Sequence, residues 1–235
     1  MLHRIIAGAS LTLALLFSGC ATERGMAVLD NPTAVAKSNK PVYLMTVTMR
    51  NTYVTAYQPK LVAVKVQKIT KSDYPTILLF EADQAAKSES ISPTIGNSYL
   101  LRMELEPGEY TILGINSMGQ SMLLTGTYFV PIDDRVVSSS SGIHYLGHVE
   151  ATLRKRNGDE FHAGGLFPVQ DQNTVGAFSG TFDVEISDRW ETDSANFLAK
   201  FPALSGANVQ KDVMSPFNRA RVLQWWEKNA FNEVP

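Results

Sequence analysis

Apolar and polar residues alternate with a period of two through most of the chain between residues 41 and 187. The alternation is clearest in the runs 62–66, 99–105 and 182–186. Successive side chains of a strand point to opposite faces, so this period indicates strands with one face buried and the other in contact with solvent. The pattern therefore predicts β-sheet and argues against a helical bundle in this part of the chain.

The sequence supports about nine strands, with turn-forming residues between most of them. No helical pattern alternates with them, which argues against a parallel α/β sheet. We expect a mainly β protein with an antiparallel β-sandwich over residues 41–187. Hairpin turns are predicted at Asn157-Gly158, a pair that readily adopts positive φ, and at 116–119. The other candidate strands are 42–48, 76–82, 110–115, 121–130, 143–156 and 159–167.

The period changes after residue 187, and residues 188–235 are expected to form a two-helix appendix packed on the sandwich. Trp190, Phe197, Leu198 and Phe201 fall on one stripe of a helix, which Pro202 would end.

A second helix is predicted after Ser215, a suitable N-cap that is followed by Pro216. Its tandem tryptophans, Trp225 and Trp226, point about 100° apart, so one can be buried while the other stays partly exposed. We favour a helical cap over an open part of the sandwich, because an apolar helical face is most often core. The alternative is a partner surface that includes Trp225 and Trp226. The shared apolar face comprises Val222, Leu223, Trp226 and Ala230.

Residues 1–19 have the pattern of a secretory signal peptide, with a cation at Arg4, an apolar run over 5–17 and a small pair at its end. About thirteen apolar residues cover only about 20 Å of a hydrocarbon core roughly 30 Å thick, too short for a permanent span. The next residue, Cys20, is the single cysteine of the chain. An internal disulfide or a cysteine-based zinc cluster is therefore excluded.

The segment Leu16-Phe17-Ser18-Gly19-Cys20 resembles the lipobox of bacterial lipoprotein precursors, although that family prefers leucine where this chain has Phe17. The resemblance implies cleavage between Gly19 and Cys20, a diacylglyceryl group on the Cys20 thiol and acylation of the new amino group. Two or three acyl chains make a stable anchor, whereas one chain binds only marginally. The alternative is that Cys20 is a small apolar residue beside an ordinary signal-peptidase site.

The residue after the cysteine influences sorting in Gram-negative lipoproteins, where aspartate favours the inner membrane. Here it is Ala21, so the resemblance implies the periplasmic face of the outer membrane. Residues 20–40 contain Gly, Pro, Asn and Ser without periodicity. They are predicted to form a lipidated flexible tether with a reach of about 25 Å.

The segment 106–111, Glu-Pro-Gly-Glu-Tyr-Thr, resembles a strand entry found in transthyretin-like and carboxypeptidase-regulatory-like sandwiches of extracellular and periplasmic proteins. It covers fewer than a dozen residues, and it implies the same sandwich fold.

Charge and histidine spacing argue against two classes of function. Lys and Arg total 21 against 23 Asp and Glu, so there is no basic excess to attract nucleic acid. His144 and His148 would lie about 13 Å apart on a strand, too far to share a metal. His162, paired across the predicted hairpin, would fall on the other face of the sheet from His148.

No catalytic residue or cofactor site is assigned from the sequence. Ser117 lies in a segment that lacks the G-x-S-x-G spacing, and nucleotide-binding glycine loops are absent from the sequence. Asp133, Asp134 and Asp171 are interpreted as solvated acids rather than glycosidase or calcium groups. A dispersed Ser-His-Asp triad is left open, because triads are defined in space.

Together these patterns predict a non-catalytic, membrane-anchored envelope lipoprotein that acts in binding or assembly. Its expected partners are the membrane, through lipid on Cys20, and an envelope protein or cell-wall polymer. The alternatives are an envelope hydrolase acting on a cell-wall or surface polymer, and a module that binds glycan or peptidoglycan. An enzyme would show converging titratable groups in a pocket, and a glycan binder would show exposed aromatic residues in a row.

Overall fold

The computed structural model describes residues 21–27, 29, 40–72, 74–83, 86–122, 124–138, 141–165 and 170–233. The signal peptide, Gly19 and Cys20 lie outside the described residues. Three helices follow or interrupt the strands: α1 Gln170–Thr174, α2 Trp190–Lys200 and α3 Arg219–Glu233. The strands are β1 Ala21–Arg24, β2 Val42–Asn51, β3 Lys60–Ile69, β4 Thr76–Glu81, β5 Lys87–Ser88, β6 Asn97–Glu104, β7 Gly108–Gln120, β8 Thr125–Ser138, β9 Ile143–Lys155, β10 Gly180–Ser187 and β11 Val209–Lys211.

The strands form two sheets, which confirms the mainly β sandwich. Sheet A has the order β1-β4-β3-β7-β8, and sheet B has the order β10-β9-β2-β6-β5, with β11 added beside β9. Their facing sides share one apolar core, because alternate residues of each strand point inward. On β2, for example, Met45, Val47 and Met49 are buried in that core, and Thr46, Thr48 and Arg50 belong to the other face.

The expectation of purely antiparallel pairing is wrong at three places. β2 and β9 are parallel neighbours at the centre of sheet B. In addition, β1 pairs in parallel with β4, and β11 pairs in parallel with β9. β8 ends at the end of the sandwich where β2 begins, so β9 enters sheet B from that same end. Alternation in the sequence determines which face a residue occupies, and it carries no information on strand direction.

Both predicted hairpins are also wrong. Gly158 has the positive φ of a turn, 59°, yet β9 pairs with β10 and the segment 159–167 forms no strand in its described part. Ala163 instead donates a hydrogen bond to Gly180 and accepts one from Phe129, which links the two sheets. Residues 116–119 lie within β7, and the turn to β8 follows Gln120.

The predicted tether is wrong for residues 21–27 and 29. β1 pairs with β4 at the edge of sheet A, and Ala27 N then donates to Arg102 O on β6 of sheet B. The side chain of Met26 is 9% exposed and that of Leu29 is 3% exposed. Short runs without periodicity can still form an edge strand, because an edge strand needs only backbone pairing on one side. This segment covers one open side of the sandwich.

Helix α2 packs on the outer face of sheet B, as its predicted stripe requires. Phe197 and Phe201 are buried there against Leu44 and Leu100. Leu198 belongs to the same predicted stripe but is 43% exposed. The sheet covers only the part of the helix surface that carries Phe197 and Phe201. Phe201 ends the helix, and Pro202 begins a short 3-10 turn.

Helix α3 closes the other open side of the sandwich. It begins at Arg219 rather than at Pro216, because Asn218 caps it by accepting a hydrogen bond from Arg221 N at 3.0 Å. Arg219 pairs with Asp183 on β10, and Arg221 pairs with Asp133 on β8. The helix therefore joins the edges of both sheets. Within the described part of the chain, no helix is both long and apolar enough to cross a bilayer.

Candidate functional site

A network of polar side chains lies on the outer face of sheet B beside helix α2. His148 on β9 places Nδ1 at 3.1 Å from both carboxylate oxygens of Asp193 on α2. Tyr145 donates a hydrogen bond to Asp193 Oδ2 at 2.6 Å. Both His148 and Asp193 are buried, at 8% and 2% exposure. Helix α2 is thus joined to the sheet by one carboxylate with two partners.

A bulge at Gly147 decides which histidine belongs to this network. Between Leu44 and Thr46 of β2, strand β9 contains one extra residue, and Gly147 has φ of 108°. A side chain there would be strained and would come within 3.1 Å of Ser187 O. The extra residue shifts the alternation, so His144 faces the sandwich interior and His148 faces α2. In a regular strand, residues four apart such as His144 and His148 would share a face, and a bulge leaves no periodic signal in the sequence.

The charge on Asp193 is stabilised in spite of its burial. Burial is the largest influence on the pKa of Asp193 and would raise it, but hydrogen bonds from His148 and Tyr145 outweigh burial and hold that pKa below its ordinary value. Burial and the hydrogen bond to Asp193 raise the pKa of Tyr145. Asp193 is therefore a carboxylate, and Tyr145 is a neutral donor.

The network continues from His148 toward the surface. Thr48 Oγ1 lies 3.0 Å from His148 Nε2 and donates a hydrogen bond to Ser98 Oγ at 3.2 Å. Ser98 in turn lines a cleft of about 340 Å³ between β5, β6 and α2. The lining side chains are small, aliphatic or cationic and include no aromatic ring: Ala86, Lys87, Ser88, Ser98, Leu100, Asn196, Ala199 and Lys200.

Thr48, His148 and Asp193 follow the order hydroxyl, imidazole, carboxylate, which is the order found around activated nucleophiles. Catalysis by such an array depends on further groups in the site. Acyl transfer also needs donors for the developing oxyanion, commonly free backbone N–H groups. Thr48 lies in the central strand β2, opposite Ser98 on β6 and Glu150 on β9, so the backbone N–H groups around it belong to the two ladders. Strand β2 therefore offers the Thr48 hydroxyl no oxyanion hole.

His144 and His162, the other two histidines that the structure describes, have separate partners. His144 Nδ1 lies 2.6 Å from Asp212 Oδ2, its ring stacks on Tyr43 with centroids 5.0 Å apart, and its buried Nε2 has no hydrogen-bond partner among the described residues. His162 Nδ1 lies 2.5 Å from Phe178 O, and burial is the main cause that lowers the pKa of His162. Nowhere in the described ranges do three or more His, Cys, Asp or Glu side chains form a group that could hold a metal ion.

The acids considered from the sequence have structural contacts. Asp133 and Asp134 lie in β8 rather than in a loop, and both face Arg221 of α3. Asp134 also accepts a hydrogen bond from Ser215 N at 2.9 Å. Asp171 lies separately in α1. Asp133 and Asp134 therefore join β8 to helix α3, and the interpretation of Asp134 as a solvated acid is wrong, because it is only 6% exposed.

Trp225 and Trp226, which form the alternative partner surface predicted from the sequence, both pack against aromatic residues of the sandwich. Trp226 is 4% exposed and lies 6.0 Å from Phe161, measured between ring centroids. Trp225 is half-buried and stacks on Phe129 at 5.8 Å. Through these contacts helix α3 covers one side of the sandwich, which is the helical cap that the sequence favours.

Large exposed apolar side chains occur instead at the end of the sandwich where β2 and β7 finish. We call this the far end, and define it by the segments 52–59, 89–96 and 121–122 and by residue 124. Exposure reaches 93% for Ile91, 94% for Met122 and 66% for Ile95, with Tyr53 at 36%. Asn97 Nδ2, which donates to Pro59 O at 2.7 Å, ties these loops of the two sheets together. Loop residues of this kind leave no periodic signal, which is why the sequence did not indicate them.

Comparison of the chain with protein-family models, with curated proteins and with solved structures gives no match.

Proposed function

We propose that this chain is a lipid-anchored envelope lipoprotein whose sandwich binds a protein partner and does not turn over a substrate. The observation that carries the proposal is the position of β1. Ala21, the residue directly after Cys20, is exposed and begins the edge strand of sheet A. A lipidated Cys20 would therefore emerge at the surface of the folded domain, where acyl chains can enter a bilayer without unfolding any part of the core.

The far end supports the binding role. Side chains as exposed as Ile91 and Met122 lose apolar contact with water when a partner covers them, and that burial favours association. Carbohydrate binding usually relies on aromatic platforms and dense hydrogen bonding, whereas three of the four exposed side chains here are aliphatic. A protein partner fits this surface better than a polysaccharide does.

Metabolic labelling tests the anchor. Cells expressing the full chain are fed an alkyne fatty acid, and the labelled protein is followed through membrane fractionation for the wild type, for Cys20→Ala and for the control Ala21→Ser. We expect label and membrane association in the wild type and in the control, and neither in Cys20→Ala. Label that survives the removal of Cys20 would refute the proposal.

Site-specific photo-crosslinking tests the partner. A photoreactive residue at Met122 or Ile91 is expected to give a discrete adduct in intact cells, whereas the same residue at Val62, which is 41% exposed on β3, is expected to give none. Equal adducts at all three positions, or none at the far end, would count against a partner surface there.

An envelope hydrolase is the second candidate, and the Thr48–His148–Asp193 array is the observation that favours it. Its signature would be ester or amide turnover that Thr48→Val abolishes while the melting temperature changes little. Turnover that is absent from the wild type, or unchanged in Thr48→Val, removes this candidate.

A further inference from the structure

The end of the sandwich opposite the far end carries its own exposed apolar side chains. We call it the Ala21 end, and define it by Ala21, the loop residues 70–72 and 74–75, and the final residues of β8. Tyr74 is 67% exposed, Val137 is 60% exposed and Ile69 is 41% exposed. None of them belongs to the polar network or to the far end.

Strand register places these residues at one end of sheet A. Ala21 pairs with Ile77 at the start of β4, and β4 is preceded by the loop that holds Tyr74. Ile69 pairs with Glu109 on β7, and Glu109 pairs with Val137 on β8. Because neighbouring strands lie about 4.8 Å apart, the strip from β1 to β8 is about 20 Å long.

The covalent chain relates this strip to the anchor. Cys20 is joined directly to Ala21, so their Cα atoms are about 3.8 Å apart. Since β1 is hydrogen-bonded to β4 and Met26 is buried in the core, no flexible segment separates the fold from the lipid attachment site. The Ala21 end must therefore lie at the bilayer surface whenever the lipid is inserted.

The chemistry of the strip matches that surface. Tyrosine is enriched at the level of the lipid headgroups, because its ring is apolar and its hydroxyl is polar. Isoleucine and valine add apolar area beside it. The loop sequence has one lysine and one aspartate, Lys71 and Asp73. Glu109, which lies between Ile69 and Val137 in the register, is paired with Arg135. These charges balance, so the contact does not depend on anionic lipid.

We propose that the Ala21 end is a membrane-contact surface, on which Tyr74, Ile69 and Val137 rest in the headgroup region and hold the sandwich upright with its far end directed away from the bilayer. This inference rests on the proposed lipid anchor. It adds a fixed orientation, which a lipoprotein with a flexible tether would not have.

Depth-dependent quenching tests the orientation. The full chain is expressed in a bacterium that processes lipoproteins, with a single new cysteine at Tyr74, Ile69 or Val137, or with Met122→Cys as the matched far-end control. Acylated Cys20 has no free thiol, so an environment-sensitive fluorophore attaches only to the new cysteine. Each protein is reconstituted into phosphatidylcholine vesicles in which a fraction of the lipid carries a nitroxide on its headgroup.

We expect blue-shifted emission and strong nitroxide quenching at positions 74, 69 and 137, and water-like emission with little quenching at 122. The contrast should persist at high salt, because the contact is apolar. Equal quenching at both ends, or stronger quenching at 122, would overturn the inference. Failure of the lipid anchor is recognised separately. Mass spectrometry would then show an unmodified Cys20, and the fluorophore would attach both to Cys20 and to the new cysteine.

Discussion

His148 on strand β9 and Asp193 on helix α2 form a buried pair in which one imidazole nitrogen lies 3.1 Å from each carboxylate oxygen. Because Asp193 also accepts from Tyr145, the carboxylate is served by two groups of the sheet and fixes where the helix sits. The Tyr145 ring further contacts Trp190 at the start of the helix, with centroids 4.9 Å apart. The first turn of α2 is therefore held to the sheet both by the hydrogen bonds of Asp193 and by the ring contact of Trp190.

Replacing Asp193 with asparagine should destabilise the protein strongly. The substitution replaces a buried carboxylate, which lies within hydrogen-bond distance of His148 and Tyr145, with a neutral amide, and losing a hydrogen bond to a charged group costs about 1.5–3 kcal/mol. Glu191→Gln removes the same charge from the exposed side of the same helix turn and should cost under about 0.5 kcal/mol. Urea unfolding of the two variants gives the comparison, and similar costs would show that the buried pair does not hold the helix.

Acid should weaken the junction between β9, the 156–160 turn and helix α3. Arg154 holds the pKa of Glu160 at about 2, below its ordinary value of 4.5, with Arg219 contributing. A lowered folded-state pKa stabilises the fold fully above pH 4.5, and that stabilisation is lost as the pH falls from 4.5 toward 2.

The measurement for this prediction is stability against pH for wild type and Glu160→Gln. Solvent screens the pair, so we expect the difference to be about 1 kcal/mol at pH 6 and to vanish near pH 2. The exposed Glu185→Gln serves as a control that should follow the wild type. A gap between wild type and Glu160→Gln that does not close in acid would contradict the assignment.

Local sequence chemistry predicted the strands well and their partners poorly. The runs 62–66, 99–105 and 182–186 all lie in strands, because a buried face imposes alternation on each strand independently. Asn157-Gly158 forms its turn, but the segment beyond it links β8 to β10 instead of pairing with β9. Which strands pair depends on how the whole sandwich packs, and no short run of sequence contains that information.

In the candidate sites, too, local features could be predicted from the sequence, whereas contacts between distant segments could not. Asp193 was part of a predicted helix, but nothing in a helical stripe indicates that a polar residue on it will meet a histidine 45 residues away. The Gly147 bulge, which turns His148 toward that helix, is a single residue without periodicity. The burial of Trp226 in the core agrees with the apolar stripe of its helix, because burial of an apolar helical face is a local property.

Loss of the Trp226 side chain should open the side of the sandwich that α3 closes. Trp226 is buried between Phe161 and Phe129, and truncating a buried tryptophan costs about 3–5 kcal/mol. Trp225→Ala is the matched control at the adjacent, half-buried position and should cost clearly less. Denaturant midpoints measure both, and equal or reversed costs would show that the described packing of the helix is wrong.

The N-terminal segment offers the sharpest distinction between a tether and a structural strand. If residues 21–29 were a flexible tether, substitutions at Gly25 and Met26 would both leave stability unchanged. In the structure, Met26 is buried in the core and its sulfur accepts a hydrogen bond from Arg102 N at 3.2 Å, whereas a Cβ at Gly25 would meet nothing within 4 Å. Met26→Ala should therefore cost about 2–3 kcal/mol, the lower part of the range for buried methionine, and Gly25→Ala should be close to neutral.

Proteolysis provides an independent readout of the same contacts. In the wild type and in Gly25→Ala, the bond after Arg24 should resist trypsin, because its strand is paired with β4. In Met26→Ala the edge strand detaches more often, so cleavage at Arg24 should be faster while the rest of the sandwich stays intact. Rapid cleavage at Arg24 in all three proteins, together with equal stabilities, would restore the flexible tether and remove the basis for a fixed orientation at the membrane.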